Sequence, residues 1–248
     1  MICNAEHQVD YLRRTLGETP APVSVVHNGI DLAPCRKTRA AWRAELGISE
    51  STIVVTMVAN FRPEKDHSTL LYAWRKVLAA IPHGQARPHL LLAGAHMQSY
   101  NAARDLAGNL GLLDSISFLG QVQDISGLLA ASDIGVLTST HEGLSNAILE
   151  YMASGLPVVA TDLPGNREAL GDAPQQPFCK PGDSDSLTTQ LQILLYDPDL
   201  RQALGARNRQ RASAEFSIDS MCKKTVAIIG DLLDTVSASA CKHQRALL

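Results

Sequence analysis

The sequence lacks the patterns that mark membrane-spanning, secreted and nucleic-acid-binding proteins. No apolar run approaches the roughly 20 residues that a helix needs to cross a bilayer, and the amino terminus has no signal-peptide pattern. The formal net charge is −3, which gives no reason to expect nucleic acid as a partner. We therefore expect a cytoplasmic protein, and peripheral association with the inner face of a membrane stays open.

Disulfide and metal-ligand patterns are also missing. The five cysteines are far apart and form no CxxC pair, and their odd number disfavours a disulfide framework. The eight histidines form no HxH or HExxH motif. We predict reduced thiols and no bound metal. The cysteines are Cys3, Cys35, Cys179, Cys222 and Cys241.

Three common catalytic or nucleotide-binding motifs do not occur. No GxGxxG follows the first predicted strand, and the phosphate-binding GxxxxGK[ST] is absent. The nucleophile motif GxSxG is absent as well. A nucleotide site in this chain therefore has to be built by other means.

Short apolar runs alternate with helical patterns along most of the chain. Apolar residues make up 45% of the chain and charged residues 19%, as in folded proteins. Most runs are continuously apolar, which favours strands covered on both faces. Strict alternation predicts an α/β fold, a doubly wound parallel sheet of the Rossmann type, with ligands beyond the carboxyl ends of the strands. The predicted strands are 23–26, 53–59, 89–95, 116–120, 134–138 and 157–161, and the helices between them are 38–46, 67–81, 99–111, 124–131, 144–154 and 164–171.

The two ends of the chain differ from this alternating part. The first thirty residues predict at most a scrap of strand, one helix and a second strand, too little for a core of their own. After residue 180 the pattern predicts additional helices: one capped by Asp183 or Ser184, a second after the DPD break, and a third with a 3.6-residue apolar period. We expect an amino-terminal remnant with a linker over 1–31, the main domain over 32–216, and a last helix with a tail frayed from Ser237 over 217–248.

The stretch HEGLSNAILEYMASGLPVVAT (141–161) predicts a helix that begins near Ser145 and leads into a strand. The first amides of such a helix lack partners within the helix, and they bind anions, most naturally phosphate. Glu142 and Glu150 flank these amides. On local chemistry alone, the favoured interpretation is a loop acid near a helix dipole and a solvated helix residue. The amides concerned are those of Gly143, Leu144, Ser145 and Asn146.

A second polar group follows the predicted strand 53–59, in the sequence NFRPEKD. Arg62 and Lys65 flank Pro63 where the strand gives way to a helix. A guanidinium and an ammonium at this point can hold a diphosphate. Charged loops are common after such strands, so this loop alone favours a structural interpretation.

Taken together, these residues resemble the carboxy-terminal half of a family 4 retaining glycosyltransferase of the GT-B architecture. Glu142 and Glu150 have the E-x7-E spacing typical of that family. The resemblance runs from about residue 2 to about residue 233 and is specific as a combination. The matching segments are VHNGID (26–31), PEK (63–65), FLG (118–120) and EGLSNAILEYMASGLPVVAT (142–161).

The resemblance implies a two-domain enzyme with its active site between the domains, in which this half binds the nucleotide sugar. Carried over residue by residue, Glu150 bonds the ribose hydroxyls, Glu142 lies against the donor sugar and Lys65 contacts the phosphates. The amides from Gly143 to Asn146 meet the sugar or the diphosphate. The expected ligand is a UDP- or GDP-linked sugar. No metal cofactor is required, because cations and a helix dipole can neutralise the departing diphosphate.

Two features depart from the family pattern. Where the family commonly has Gly-Arg, this chain has Ala59 and Asn60; we assign Asn60 to the donor site and expect Arg62 to replace the arginine. The family's amino-terminal half is missing, and the opening ICNAEH resembles the point where that half ends. We therefore expect transfer to need the missing amino-terminal domain or a partner that supplies it. We also expect the last helix to expose apolar surface and to self-associate.

Three functions stay open. The first is the donor-binding half of a retaining glycosyltransferase that transfers a sugar to an acceptor hydroxyl and is inactive alone. The second is a stand-alone nucleotide-sugar-binding module. The third is a GT-B-type nucleotide-sugar epimerase, which the EGLSNAILE loop disfavours. The sequence does not specify the base, the sugar or the acceptor.

Overall fold

A computed structural model describes residues 1–17 and 23–245 of the chain. Its strands are β1 (Ile2–Cys3), β2 (Ser24–Val25), β3 (Val54–Val58), β4 (His89–Ala93), β5 (Ile116–Gly120), β6 (Ile134–Leu137), β7 (Val158–Thr161) and β8 (Phe178–Cys179). Its α-helices are α1 (Glu6–Leu16), α2 (Arg39–Glu45), α3 (His67–Ala79), α4 (Tyr100–Asn109), α5 (Ile125–Ala130), α6 (Asn146–Ala153), α7 (Pro164–Leu170), α8 (Ser184–Tyr196), α9 (Pro198–Glu215) and α10 (Ile218–Arg245).

The main sheet has six parallel strands in the order β5-β4-β3-β6-β7-β8. Successive residues of β3 pack into different apolar clusters. Val54 lies in one cluster with Trp42 of α2, and Val55 lies in another with Trp74 of α3. Because successive side chains of a strand point to opposite faces, both faces are covered by helices. This confirms the predicted doubly wound α/β fold. Its strand order reverses between β3 and β6, which is where such sheets bind ligands.

The amino-terminal segment forms a unit of its own beside the main sheet. β2 pairs in parallel with β1 and not with the main sheet, whereas its apolar sequence alone was compatible with either position. Glu168 of α7 holds this segment: its carboxylate accepts the amide of Glu6 at 2.8 Å and lies 2.7 Å from His27 Nε2.

The helices after residue 180 follow the prediction closely. Asp183 caps α8 by accepting the amides of Asp185 and Ser186, and Asp197 of the DPD break caps α9. Arg207 and Arg211 of α9 then donate to the last carbonyls of α7. β8 was not predicted, because a two-residue strand leaves no periodic signal.

The last helix, α10, lies largely apart from the main body. It continues to Arg245, beyond the Ser237 at which we predicted a frayed tail. The reason is local, since residues 234–245 contain neither proline nor glycine. Several of its large apolar residues are exposed, as expected: Ile218, Val226, Ile229, Leu232 and Leu233. None of the described helices is both long enough and apolar enough to cross a membrane.

Candidate functional site

A cleft of about 540 Å³ opens beyond the carboxyl ends of β3 and β4 and beside the start of α6. It lies at the reversal of strand order, where the fold predicts a ligand site. The structure brings every residue that the sequence predicted for the site into its lining: Asn60, Arg62, Lys65, Glu142, Gly143, Leu144, Ser145, Asn146 and Glu150.

A short 3-10 turn, Pro63–Lys65, presents Lys65 to the cleft. Thr138, just after β6, donates its hydroxyl to the carbonyl of Lys65 at 2.9 Å, and the Thr140 amide donates to the carbonyl of Glu64 at 2.8 Å. Asp66 ends the turn in the left-handed region, with φ at +46°, and caps α3. The backbone of this turn is therefore fixed by the segment that follows β6.

Lys65 and Glu142 form an ion pair across the cleft. Lys65 Nζ lies 2.5 Å from Glu142 Oε1, and the side chains are 22% and 11% exposed. Ser139 donates its hydroxyl to the same carboxylate oxygen at 2.6 Å. Within the described residues nothing hydrogen-bonds the other oxygen of Glu142. That oxygen is available to a ligand.

The start of α6 offers unpaired amides between the two acids. In the ranges that the structure covers, no acceptor is found for the amides of Gly143, Leu144, Ser145 and Asn146. Ser145 occupies the N-cap position, but its hydroxyl makes no capping bond, and the helix begins at Asn146 instead of residue 144. The missing cap leaves more of the anion-binding capacity of this terminus to a ligand.

Side chains of the amino-terminal segment close one side of the cleft. A Cβ at Gly143 would lie 2.7 Å from Gln8 Nε2 and 3.0 Å from Asn4 Oδ1, so a larger residue there would displace these side chains. Asn28 donates to Asn146 Oδ1 at 2.8 Å. The sequence did not identify Asn4, Gln8 or Asn28 as part of the site, because no local pattern links them to α6.

Glu150 lies one helical turn into α6 and faces the cleft. Its carboxylate makes no hydrogen bond or ion pair to the described residues. Burial raises the pKa of Glu150 above its ordinary value. An unpaired, partly buried carboxylate is unfavourable for the fold on its own, and hydroxyl groups of a ligand are suitable partners for it.

Tyr151, the next residue, attaches α6 to the sheet. Its buried hydroxyl accepts the Val58 amide at 2.6 Å and donates to the Val136 carbonyl at 3.4 Å. Burial raises the pKa of the phenol, which therefore stays protonated. A Cβ at Gly135 would lie 2.6 Å from the tyrosine ring, so β6 needs glycine there. Tyr151 thus fixes the distance between α6 and the end of β3.

Asn60 and Arg62 occupy different environments. Asn60 Oδ1 accepts the Ala95 amide at 2.9 Å, which joins the loops after β3 and β4. Arg62 is 49% exposed at the rim, 3.9 Å from Glu64. The structure thus gives Asn60 a structural bond that the sequence did not predict, while Arg62 has room to turn toward a ligand.

The chemistry of the cleft suits a ligand that carries both anionic and hydroxyl groups. The side chains of Arg62 and Lys65 and the start of α6 can bind anionic groups of a ligand. The carboxylates of Glu142 and Glu150 can accept hydrogen bonds from its hydroxyl groups. Over residues 1–17 and 23–245, no group of three or more His, Cys, Asp or Glu side chains is placed to hold a metal.

A family model and curated proteins both resemble this chain over most of its length. The family model for glycosyl transferases group 1 matches residues 38–211. The chain is 28% identical over 212 residues to N-acetyl-alpha-D-glucosaminyl L-malate synthase of Bacillus anthracis, covering 85% of this chain and 54% of that protein. It is 29% identical over 229 residues to D-inositol 3-phosphate glycosyltransferase of Rhodococcus jostii (strain RHA1), covering 89% and 51%.

A solved structure shares the fold. The crystal structure of Anabaena Alr3699/HepE in complex with UDP and glucose matches with a TM-score of 0.82 and 23% identity, over 93% of this chain and 62% of that one. The chain spans about half the length of the curated relatives it matches.

Proposed function

The chain belongs to the glycosyl transferases group 1 family, of the GT-B type, and we propose that its cleft binds the nucleotide-diphosphate sugar donor of a retaining, family 4 glycosyltransferase. One observation carries the proposal. Unpaired helix amides lie between two carboxylates, and the cation-bearing turn Pro63–Lys65 faces them across the same cleft.

Every predicted site residue except Asn60, whose side chain joins two loops, has a role in this proposal. The α6 amides and Lys65 bind the diphosphate, and Arg62 turns in from the rim. Glu150 accepts hydrogen bonds from the ribose hydroxyls, which supply the partners that its carboxylate lacks. The second oxygen of Glu142 accepts a hydroxyl of the donor sugar. The cation contacts are charge-assisted hydrogen bonds, which are the stronger kind.

The proposed reaction is sugar transfer to an acceptor hydroxyl with retention at the anomeric carbon. The bond between that carbon and the diphosphate oxygen breaks, and negative charge develops on the leaving group. Lys65, Arg62 and the α6 amides stabilise this charge, so that no metal ion is needed. The acceptor oxygen attacks from the face that the diphosphate leaves, and its proton passes to the departing phosphate.

The acceptor site belongs to residues outside this chain in our proposal. The chain spans about half the length of its relatives, and its cleft carries the groups that suit a nucleotide-sugar donor. We therefore expect the chain alone to bind a nucleotide sugar and to transfer none. We propose that an amino-terminal domain, or a partner that supplies one, completes the cleft.

Thermal shift and calorimetry with UDP, GDP and their sugar conjugates test the proposal. We expect one base to raise the unfolding midpoint, because a ligand that binds the folded state stabilises it by mass action. The shift should be the same with Mg²⁺ and with EDTA. No binding of any of these ligands at millimolar concentration would overturn the proposal.

The sequence also predicts contacts beyond the cleft. We propose that copies of the chain associate through the exposed apolar residues of α10, which no described element covers. Cytoplasmic location and peripheral contact with a membrane stay predictions.

A further inference from the structure

A buried series of hydrogen bonds connects α7 with the carboxylate of Glu142. Asn166 donates its side-chain amide to the Thr161 carbonyl at 2.9 Å, and Thr161 donates its hydroxyl to the Ser139 carbonyl at 2.6 Å. Ser139 then donates to Glu142 Oε1 at 2.6 Å. Ser139, Thr161 and Asn166 have no exposed surface. The backbone of Ser139, just after β6, is therefore fixed by Thr161, and its side chain does not contact solvent.

Two donors share one oxygen of Glu142, and they differ in mobility. Lys65 reaches Oε1 with a long, flexible side chain that is 22% exposed, and an ammonium group can exchange one anion for another. Ser139 has a single hydroxyl hydrogen to donate, on a backbone fixed by Thr161. The lysine reaches over a wider range of positions than the short, fully buried serine side chain.

Binding of a diphosphate affects the two donors, Lys65 and Ser139, differently. Lys65 then has to serve the phosphates, and its contact with Glu142 weakens or breaks. Without a second donor the carboxylate would be free to rotate, and it would also lie near a new negative charge. The Ser139 hydroxyl keeps Oε1 in place, so that the other oxygen keeps its direction into the cleft.

We infer that Ser139 is a positioning residue, which holds Glu142 against the donor sugar when Lys65 turns to the diphosphate. The inference rests on the proposed function. Ser139 contacts neither sugar nor phosphate itself, since it is fully buried and lies outside the cleft lining. It determines how much the sugar adds to the affinity of the nucleotide.

Calorimetry on the full chain with UDP and UDP-glucose tests this, with GDP and GDP-mannose as a second pair. In Ser139→Ala, the affinity for the nucleotide sugar should fall about tenfold, the effect of losing one hydrogen bond to a charged group. The affinity for the nucleotide alone should change little. Ser139→Cys, which keeps the shape but donates weakly, should lie in between.

Ser132→Ala is the matched control. Ser132 is also a buried serine beside β6, but its hydroxyl bonds Thr56 and the Leu128 carbonyl at the other end of the strand. It should reduce stability and leave the ratio of the two affinities unchanged. This ratio separates a positioning effect from general loosening of the fold.

The outcomes distinguish the two proposals. A wild-type chain that binds no nucleotide and no nucleotide sugar overturns the proposed function, and the inference with it. A wild-type chain that binds nucleotide, together with Ser139 variants that keep its affinity ratio, overturns the inference alone. Equal affinity of the wild-type chain for UDP and UDP-glucose, and for the guanine pair, also overturns it.

Discussion

The carboxylate of Glu150 shows how the requirements of a ligand and of the fold can oppose each other at one residue. Burial raises the pKa of Glu150 from the ordinary 4.5. As the pH rises, this carboxyl group therefore loses its proton at a lower pH in the unfolded chain than in the folded chain. Above that ordinary value the ionised group therefore lowers the stability of the fold. The residue is explained by a ligand that supplies the missing partners.

Glu150→Gln should therefore have two opposite effects. At neutral pH the unliganded variant should unfold at a higher temperature than the wild type. This gain should disappear below about pH 4, where Glu150 of the wild type is protonated in both the folded and the unfolded chain. Nucleotide affinity should fall about tenfold or more, because a bond to a charged acceptor is lost. Thermal unfolding against pH and calorimetry measure the two effects.

Glu45→Gln serves as the control for this pair of measurements. Its side chain is 56% exposed on α2, outside the cleft lining, so neither quantity should change much. A loss of stability in Glu150→Gln at neutral pH would contradict the argument from burial.

His67, the first residue of α3, should make the stability of the fold depend on pH. Burial lowers the pKa of His67 to about 4, although the Ala59 carbonyl partly opposes this. The unfolded chain binds the proton first as the pH falls, so stability should decline between about pH 6.5 and pH 4, by on the order of 3 kcal/mol in all. In His67→Gln this part of the decline should be absent. Urea unfolding of both proteins at several pH values gives the difference; parallel curves would refute the prediction.

At the scale of residues, the sequence identified the cleft lining well on one side only. Glu142 and Glu150 were predictable because the helix start and the acid spacing are local patterns. Asn4, Gln8 and Asn28 were not, because they reach the cleft only when the amino-terminal segment docks on α7 through Glu168. The bond from Ser139 to Glu142 also depends on side-chain geometry that no spacing rule reveals.

At the scale of elements, α6 joins the cleft to the sheet through one side chain. The Tyr151 hydroxyl is bonded to both β3 and β6, and the ring packs on Gly135. The position of the helix amides relative to Lys65 therefore depends on this tyrosine as much as on the loops between the strands.

Tyr151→Phe should lower the free energy of unfolding by about 1–2 kcal/mol, because the Val58 amide loses its partner. Nucleotide affinity should fall as well, since Val58 lines the cleft. Tyr196→Phe, at a tyrosine that is 56% exposed, should change neither. Urea unfolding followed by circular dichroism measures the first effect; equal stability of the two variants would count against the role of Tyr151.

The main strands were predictable because each is a short, continuously apolar run between turn signals. The same rule could not assign β2 to the smaller sheet, because pairing partners are not encoded in a single run. β8 was too short to be found, and α6 begins later than predicted because the backbone bends at Gly143 and Leu144 and is extended at Ser145. Continuously apolar runs between turn signals are thus predictable, while boundaries and partners depend on tertiary contacts.

At the scale of the whole molecule, α10 carries a stripe of exposed apolar residues that no other described element covers. Val226, Ile229, Leu232 and Leu233 are each about half exposed or more, and such a stripe favours association. The helix is joined to the amino-terminal linker at its start, where a Cβ at Gly29 would lie 2.6 Å from Ile218 Cα.

Light scattering behind size-exclusion chromatography should show association of the chain that depends on concentration. The double variant Ile229→Glu with Leu233→Glu should shift the chain toward the monomer, because charge on the stripe opposes burial. Lys224→Glu, on the same helix, should leave the association as it is. A wild-type chain that is monomeric at all concentrations would refute the prediction.

The contact between Gly135 and Tyr151 has an evolutionary consequence. A Cβ on β6 at this point and an aromatic ring on α6 exclude each other, so neither position can change freely while the other stays. Relatives that carry a larger residue in place of the glycine should carry a small one in place of the tyrosine, and their helix should be attached to β3 by some other donor or acceptor. The two positions, sixteen residues apart, should covary across an alignment of relatives, as a pair inherited together.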